Sequence, residues 1–259
     1  DYPAEAGRYH LYAPYNCPWS HRALLARAVK GLEEVVDASV VYFRRDAERG
    51  WQFNPRIPGC TEDRAGGRRY VVELYESVGS EERSVPVLWD TKTETIVCNE
   101  SADILRMFND AFGALATRKL DLYPADHRDE IDRINAHVYQ RINNGAYKAG
   151  FTKSQTAHDR AFDRYFRALD WLESLLEARA WLAGTEQPTE ADLRLFPTLF
   201  RHDAVYYARF QLNLRRVASY PRLSDWLARM LEVPGVPAAS HLDLSRNRYF
   251  GRRGYGIVP

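Results

Sequence analysis

A strand-like run, Tyr9-His10-Leu11-Tyr12-Ala13, leads into Tyr15-Asn16-Cys17-Pro18-Trp19-Ser20-His21-Arg22, and a helical pattern opens on that second stretch. Leu24, Leu25, Ala28 and Val29 recur at the spacing of one helix face. Proline suits the first helical position, where its missing N–H is not needed. Cys17 is therefore placed at or beside the N-cap, under backbone N–H groups without helical partners and at the positive end of the helix dipole. Thiols so placed titrate low, roughly between 3.5 and 7.5, which makes the thiolate available as a nucleophile. A small buried cysteine that merely fills space is the plainer alternative. The order strand, Cys-Pro, helix favours the reactive thiol.

Length and charge narrow the rest. A chain of 259 residues makes one large domain or two ordinary ones. Lys and Arg at 36 against Asp and Glu at 35 speak against a nucleic-acid binder held by bulk electrostatics. The sequence has no apolar run long enough to span a membrane and no visible signal peptide, although it starts at Asp1 without an initiator Met, which leaves a trimmed leader open. The three cysteines, Cys17, Cys60 and Cys98, form no C-x-x-C pair, and no Cys/His cluster repeats at metal-ligand spacing. A reducing, cytoplasmic setting, thiol chemistry and no metal are expected.

Strand and helix signals alternate over the first hundred residues. After the Cys17 helix, Ala38 to Phe43 reads as a strand. A Gly- and Pro-rich stretch from Arg44 to Arg69 reads as a long loop, functional or mobile, and a short helix follows around Tyr70 to Val78. Ser84–Asp90 and Glu94–Cys98 read as a hairpin. Pro86 interrupts its first strand, so that strand is expected at an edge or with a cis bond before the proline. Asn99-Glu100-Ser101 opens a helix carrying Ile104, Leu105 and Phe108 on one face. This order is that of a thioredoxin-like domain.

From Tyr123 the signal is almost wholly helical. One helix carries Ile131, Ile134, Val138 and Ile142 and is expected to end near Asn143-Asn144-Gly145, leaving Tyr147 in an irregular segment. A second carries Phe162, Phe166, Leu169, Leu172, Leu175 and Leu176 and is expected to run to Trp181-Leu182-Ala183-Gly184. Thr189 and Asp192 have capping-box spacing for a third, and Tyr220-Pro221 starts a fourth. The tail from Ser245 to Pro259 reads as irregular. The expected class is α/β plus all-α: a thioredoxin-like domain over residues 1–114 and an all-helical domain over 120–259.

Cys17-Pro18-Trp19-Ser20-His21-Arg22 resembles the Cys-Pro-Trp-Ala-His-Arg signature of the glutathionyl-hydroquinone reductases, the Xi class of glutathione transferases. In order along the chain, the resemblance continues through Gly50-Trp51, Val85 to Asp90, Asn99-Glu100-Ser101, Asn143 to Phe151, Arg201 to Tyr206, Leu214-Arg215-Arg216 and Ile257-Val258-Pro259. It implies a reductase that strips glutathione from quinone-derived aromatic conjugates with a second glutathione as co-substrate, and a homodimer built on the helical half. Carried onto this sequence, it makes Cys17 the nucleophile. Trp51, Val85, Pro86, Glu100 and Ser101 become glutathione-binding residues, and Tyr147, Tyr206 and Tyr249 surround the aromatic substrate. An Omega-like thiol transferase, dehydroascorbate reductase or aryl-ether-cleaving enzyme would use the same thiolate, and a non-enzymatic binding protein would not use it.

Each of these residues has a plainer reading beside it. Asn99-Glu100-Ser101 is also ordinary helix capping, Trp51 a loop anchor, and a tyrosine more often amphipathic packing. Arg246, Arg248, Arg252 and Arg253 either line a solvated tail or raise the local potential for anionic glutathione. The sequence departs from the family at Ser20, where Ala is usual, and between Arg56 and Arg83. Ser20 is expected to tune Cys17 or to bond backwards along the helix. Cys60 reads as a loop thiol rather than a resolving one, and Cys98 as buried and inert.

Overall fold

A computed structural model describes residues 2–42 and 48–251. Phe43, Arg44, Arg252, Arg253 and the Ile257-Val258-Pro259 ending lie outside the described residues. The chain divides into two compact units. The first holds residues Asp1–Leu120 and Pro234–Arg248, the second Asp121–Val233 and Tyr249–Pro259.

In the first unit, β1 (Tyr9–Ala13), α1 (Pro18–Val29) and β2 (Asp37–Val40) come first; α2 (Val72–Ser77), β3 (Val87–Asp90), β4 (Thr95–Cys98) and α3 (Ser101–Asn109) follow. The sheet order is β2-β1-β3-β4, with β1 parallel to β2 and antiparallel to β3, which is antiparallel to β4. A parallel pair needs a crossover, and α1 supplies it. The Val85–Pro86 bond is cis and β3 begins only after it, so the strand sits inside the sheet without placing proline in the ladder. Gly31 ends α1 at φ 64°, and a Cβ there would lie 2.0 Å from the Thr117 hydroxyl oxygen, so the C-terminal turn has room for glycine alone. Asp90 turns the hairpin. Its carboxylate accepts from the Lys92 N–H at 2.9 Å and from the Arg8 guanidinium at 2.5 Å, a pairing that holds it well below the usual carboxylate range.

His10 gives the sheet a pH dependence. Its Nε2 lies 2.8 Å from the Ser39 hydroxyl, and burial holds its pKa at about 4. Asp37 and Asp63 pull that value up and Arg27 and Arg64 push it down, but burial wins. Between pH 6.5 and 4 the unfolded chain binds a proton that folded His10 does not. Stability is therefore full above 6.5 and falls as the pH drops to 4, by about 3 kcal/mol from this group. Urea titrations across that range should show a shallower decline for His10→Gln than for the parent.

The second unit is helical. It comprises α4 (Arg128–Val138), α5 (Asn144–Phe151), α6 (Gln155–Leu175), α7 (Glu190–Arg201), the short α8 (Tyr207–Arg209) and α9 (Pro221–Glu232). α6 ends in a 3₁₀ turn over Leu176–Ala178, short of the expected Trp181–Gly184 end. The helix through Ile142 does not end at Asn143-Asn144-Gly145 as expected. A π turn over Tyr139–Asn143 joins α4 to α5 without a break, so Tyr147 is helical rather than irregular. The extra residue of the π turn is held from outside: Asn143 donates to the Thr198 hydroxyl at 2.7 Å and to the Arg194 carbonyl at 3.2 Å. A second π turn, His202–Tyr206, follows α7. His202 anchors it with Nε2 against the Arg215 carbonyl at 3.1 Å and Nδ1 against the Tyr165 hydroxyl at 2.9 Å. A carbonyl only accepts, so Nε2 carries the proton and Nδ1 takes the phenol's.

The capping box at α7 forms as expected, with the Asp192 carboxylate 2.9 Å from the Thr189 N–H. After α9 the chain forms α10 (Val236–Ala239) and α11 (Leu242–Phe250). The expected irregular tail is thus helical to Phe250, because residues 242–250 contain neither glycine nor proline.

Candidate functional site

In the first unit Cys17 is the N-cap of α1, extended at φ −87° and ψ 121°, with Pro18 at the first helical position. The thiol is half-buried and makes no side-chain capping hydrogen bond, and it sits at the positive end of the helix dipole. Cys17 and Trp51 pack against an apolar cluster that contains Tyr12, Phe53, Tyr75, Val85 and Trp89. Three of the residues named from sequence, Cys17, Trp51 and Val85, are thereby brought to one place.

Val85 is 8% exposed, and its N–H and C=O make no hydrogen bond among the described residues. Buried main-chain groups are nearly always paired, so this edge could pair with the backbone of an extended ligand. Glu100 is the N-cap of α3. Its Oε1 accepts from the Ala102 N–H at 3.0 Å and from the Ser101 hydroxyl at 3.2 Å, while Oε2 makes no hydrogen bond among the described residues.

Sequence reading missed Tyr75, which ties these pieces together. Its hydroxyl lies 3.1 Å from both the carbonyl and the hydroxyl oxygen of Ser84, and it accepts from Asn99 Nδ2 at 3.2 Å. Asn99 Nδ2 also donates to the Ser84 hydroxyl at 3.0 Å. Ser84 precedes Val85, and Asn99 precedes Glu100, so one buried phenol fixes both approaches. Its helical spacing gave no sign of this, because the partners are distant in sequence.

Ser20 makes neither of the hydrogen bonds expected of it: its hydroxyl is fully buried and has no hydrogen-bond partner among the described residues. His21 instead reaches the Ser240 hydroxyl at 3.1 Å, and that hydroxyl donates to the Val236 carbonyl at 2.7 Å, so His21 Nε2 is the donor. Cys60 is half-buried, with its thiol 3.4 Å from the Val41 carbonyl. Cys98 is half-buried rather than buried. Its sulfur accepts from the Glu100 N–H at 3.4 Å, and desolvation pushes its thiol pKa up, which fits an inert thiol.

The second unit collects the three tyrosines. The hydroxyls of Tyr147 and Tyr249 are 2.7 Å apart, and the Tyr206 ring stands edge-on to both, with centroids at 6.2 and 5.9 Å. Tyr206 is fully buried, and burial raises its phenol well above the ordinary value. Phe210, which was not singled out from sequence, is the hub. It stacks on Tyr206 at 4.6 Å and touches Tyr147 at 5.4 Å and Tyr249 at 5.5 Å. A Cβ at Gly150 would lie 2.2 Å from the Phe210 ring, so the glycine permits this approach. The available signal was helical spacing: Tyr147 with Phe151, and Tyr206 with Phe210, each pair four residues apart.

A cis-proline sheet with a helix-capping cysteine, in a chain whose other unit is helical and phenol-lined, has the parts of a cysteine-type glutathione transferase. The glutathione S-transferase N-terminal and C-terminal domain models match residues 16–111 and 155–229. The chain is 43% identical to the glutathionyl-hydroquinone reductase PcpF of Sphingobium chlorophenolicum, over 98% of this chain and 83% of that one. It is also 43% identical to the glutathionyl-hydroquinone reductase YqjG of Escherichia coli, over 95% of this chain and 76% of that one. The glutathione-bound structure of YqjG superimposes with a TM-score of 0.94 at 41% identity, covering 99% and 85% of the two chains. The Xi transferase of Phanerochaete chrysosporium gives 0.93 at 40%, covering 100% and 91%. The chain belongs to the glutathionyl-hydroquinone reductases, the Xi class of glutathione transferases.

Proposed function

We propose that this chain is the reductase its family names: it removes glutathione from glutathionyl-hydroquinones, with glutathione as co-substrate. The observation that carries the reading is Cys17 at the mouth of α1, packed on the same cluster as the unpaired Val85 edge. The Cys17 thiolate attacks the glutathionyl sulfur. The sulfur–carbon bond breaks, its electron pair goes to the ring carbon, and a proton from a phenol completes the free hydroquinone. A second glutathione thiolate attacks the Cys17–glutathione disulfide, releasing glutathione disulfide and the Cys17 thiolate. Val85 pairs with the cysteinyl backbone of glutathione beside Pro86. Glu100 and Ser101 hold its γ-glutamyl end at the start of α3, and Trp51 covers it.

Tyr147, Tyr206 and Tyr249 take the aromatic group. A phenol pair at 2.7 Å suits the proton step, since the phenolate left on one is stabilised by donation from the other. In this reading residues 1–114 bind glutathione, while 120–259 bind the aromatic substrate and form a homodimer. Free thiols at all three cysteines fit a cytoplasmic setting.

Tyr147→Phe separates this chemistry from simple thiol transfer. Release of hydroquinone should fall about a hundredfold, while reduction of a glutathione mixed disulfide, which expels a thiolate and needs no carbon protonation, stays within about twofold. Equal losses in both assays would contradict the phenol's role. Tyr75→Phe should act through positioning: KM for glutathione rises about tenfold, the equivalent of about 1.4 kcal/mol, with kcat nearly unchanged. An unaltered KM would remove Tyr75 from the account.

A further inference from the structure

The second unit concentrates positive charge that the proposed reaction does not use. A groove of about 520 Å³ runs between α5 and α6, with Tyr147, Lys148, Phe151, Arg160 and Arg164 in its wall. It adjoins a hollow of about 560 Å³ that shares Lys148 and Arg164 and adds His137, Arg141 and Arg167. Among the described residues, no carboxylate lines either one. The whole chain carries a net charge of only +1, so this is segregation rather than composition.

Nearby arginines of the same unit are neutralised: Arg133 and Arg179 share Glu130 at 2.7 and 2.6 Å, and Arg215 meets Asp170 at 3.1 Å. Arg141, Lys148, Arg160 and Arg164 make no ion pair among the described residues, and Arg167 has only a 3.8 Å contact with Asp163. At the far end His137 stacks on Trp171 at 4.0 Å, and its Nε2 is buried with no hydrogen-bond partner among the described residues. Burial, Arg141 and Arg133 together hold His137 below its ordinary pKa, which registers the positive field there. At the other end Phe151 is 60% exposed beside the cations, an apolar face next to a charged floor.

We propose that this groove binds a small organic polyanion, its anionic oxygens on Arg141, Lys148 and Arg164 and its aromatic body against Phe151. The combined space fits a ligand of that size, and guanidinium groups in a shared hollow match the geometry of phosphate or carboxylate oxygens. The groove shares Tyr147 with the proposed aromatic site, but its anion-binding residues Arg141, Lys148 and Arg164 take no part in the Cys17 chemistry, so their substitution tests it separately from that reading.

The test is calorimetric titration of the full chain with 1-naphthyl phosphate and with inorganic phosphate at matched ionic strength. The naphthyl ester should bind at least about tenfold tighter than phosphate, and its affinity should fall as salt is raised. Arg141→Glu combined with Arg164→Glu should weaken it at least about tenfold while leaving turnover of the glutathionyl conjugate and the melting temperature unchanged, and Phe151→Ala should erase the advantage over phosphate. Bound ligand should also move the His137 ring titration, followed by NMR, to higher pH. Absence of binding, or binding that the double substitution leaves intact, overturns the proposal.

Discussion

Replacing Cys17 with alanine is expected to lower kcat/KM for a glutathionyl-hydroquinone by about 10⁴-fold or more, because no other group on α1 can take the glutathionyl sulfur. The fold should hardly notice. The thiol is half-buried and makes no capping hydrogen bond, so urea unfolding of Cys17→Ala should stay within about 1 kcal/mol of the parent. Cys17→Ser is expected to be equally inactive, since the oxygen cannot form a mixed disulfide. Substantial activity in either variant would move the chemistry to another thiol. Cys60 would then be the first to examine, because its thiol is half-buried and Cys98 carries a raised pKa.

Asp192→Ala should be the most damaging single change to stability. The carboxylate is fully buried and serves four donors: the Thr189 N–H at 2.9 Å, the Thr189 hydroxyl at 3.1 Å, the Leu182 N–H at 3.1 Å and the Trp226 indole at 2.8 Å. Burial alone would make a charge here costly, and it does raise the carboxyl pKa, with the four donors acting against it. Alanine strands all four donors and opens a cavity beside Trp226. The expected loss is about 4 kcal/mol or more, a large part of an ordinary domain's stability. Urea unfolding followed by tryptophan fluorescence measures it. A loss below about 1.5 kcal/mol would mean that water replaces the carboxylate.

How much of this was legible in the sequence follows from how local each cause is. Cys17 at its N-cap, the cis bond before Pro86 and the Thr189–Asp192 box were all readable, because each is decided within a few residues. The π turns were not. Asn143-Asn144-Gly145 carries helix-stop residues, and only Asn143's bonds to Thr198 and the Arg194 carbonyl, more than fifty positions away, keep the helix going. Tyr75 was hidden for the same reason. Ser20 misled in another way: its hydroxyl promised a hydrogen bond, and the packing of α1 gave it none. The three tyrosines were named only through the resemblance, while Phe210, their hub, carried no motif at all.

The central claim is a mixed disulfide between Cys17 and glutathione. Mixing the enzyme with one equivalent of a glutathionyl-hydroquinone, with no free glutathione, and analysing the quenched protein by peptide mass spectrometry tests it directly. The account predicts one glutathione on the Cys17 peptide, one equivalent of hydroquinone released, and loss of the adduct when glutathione is added. Hydroquinone released in full with Cys17 unmodified would contradict it.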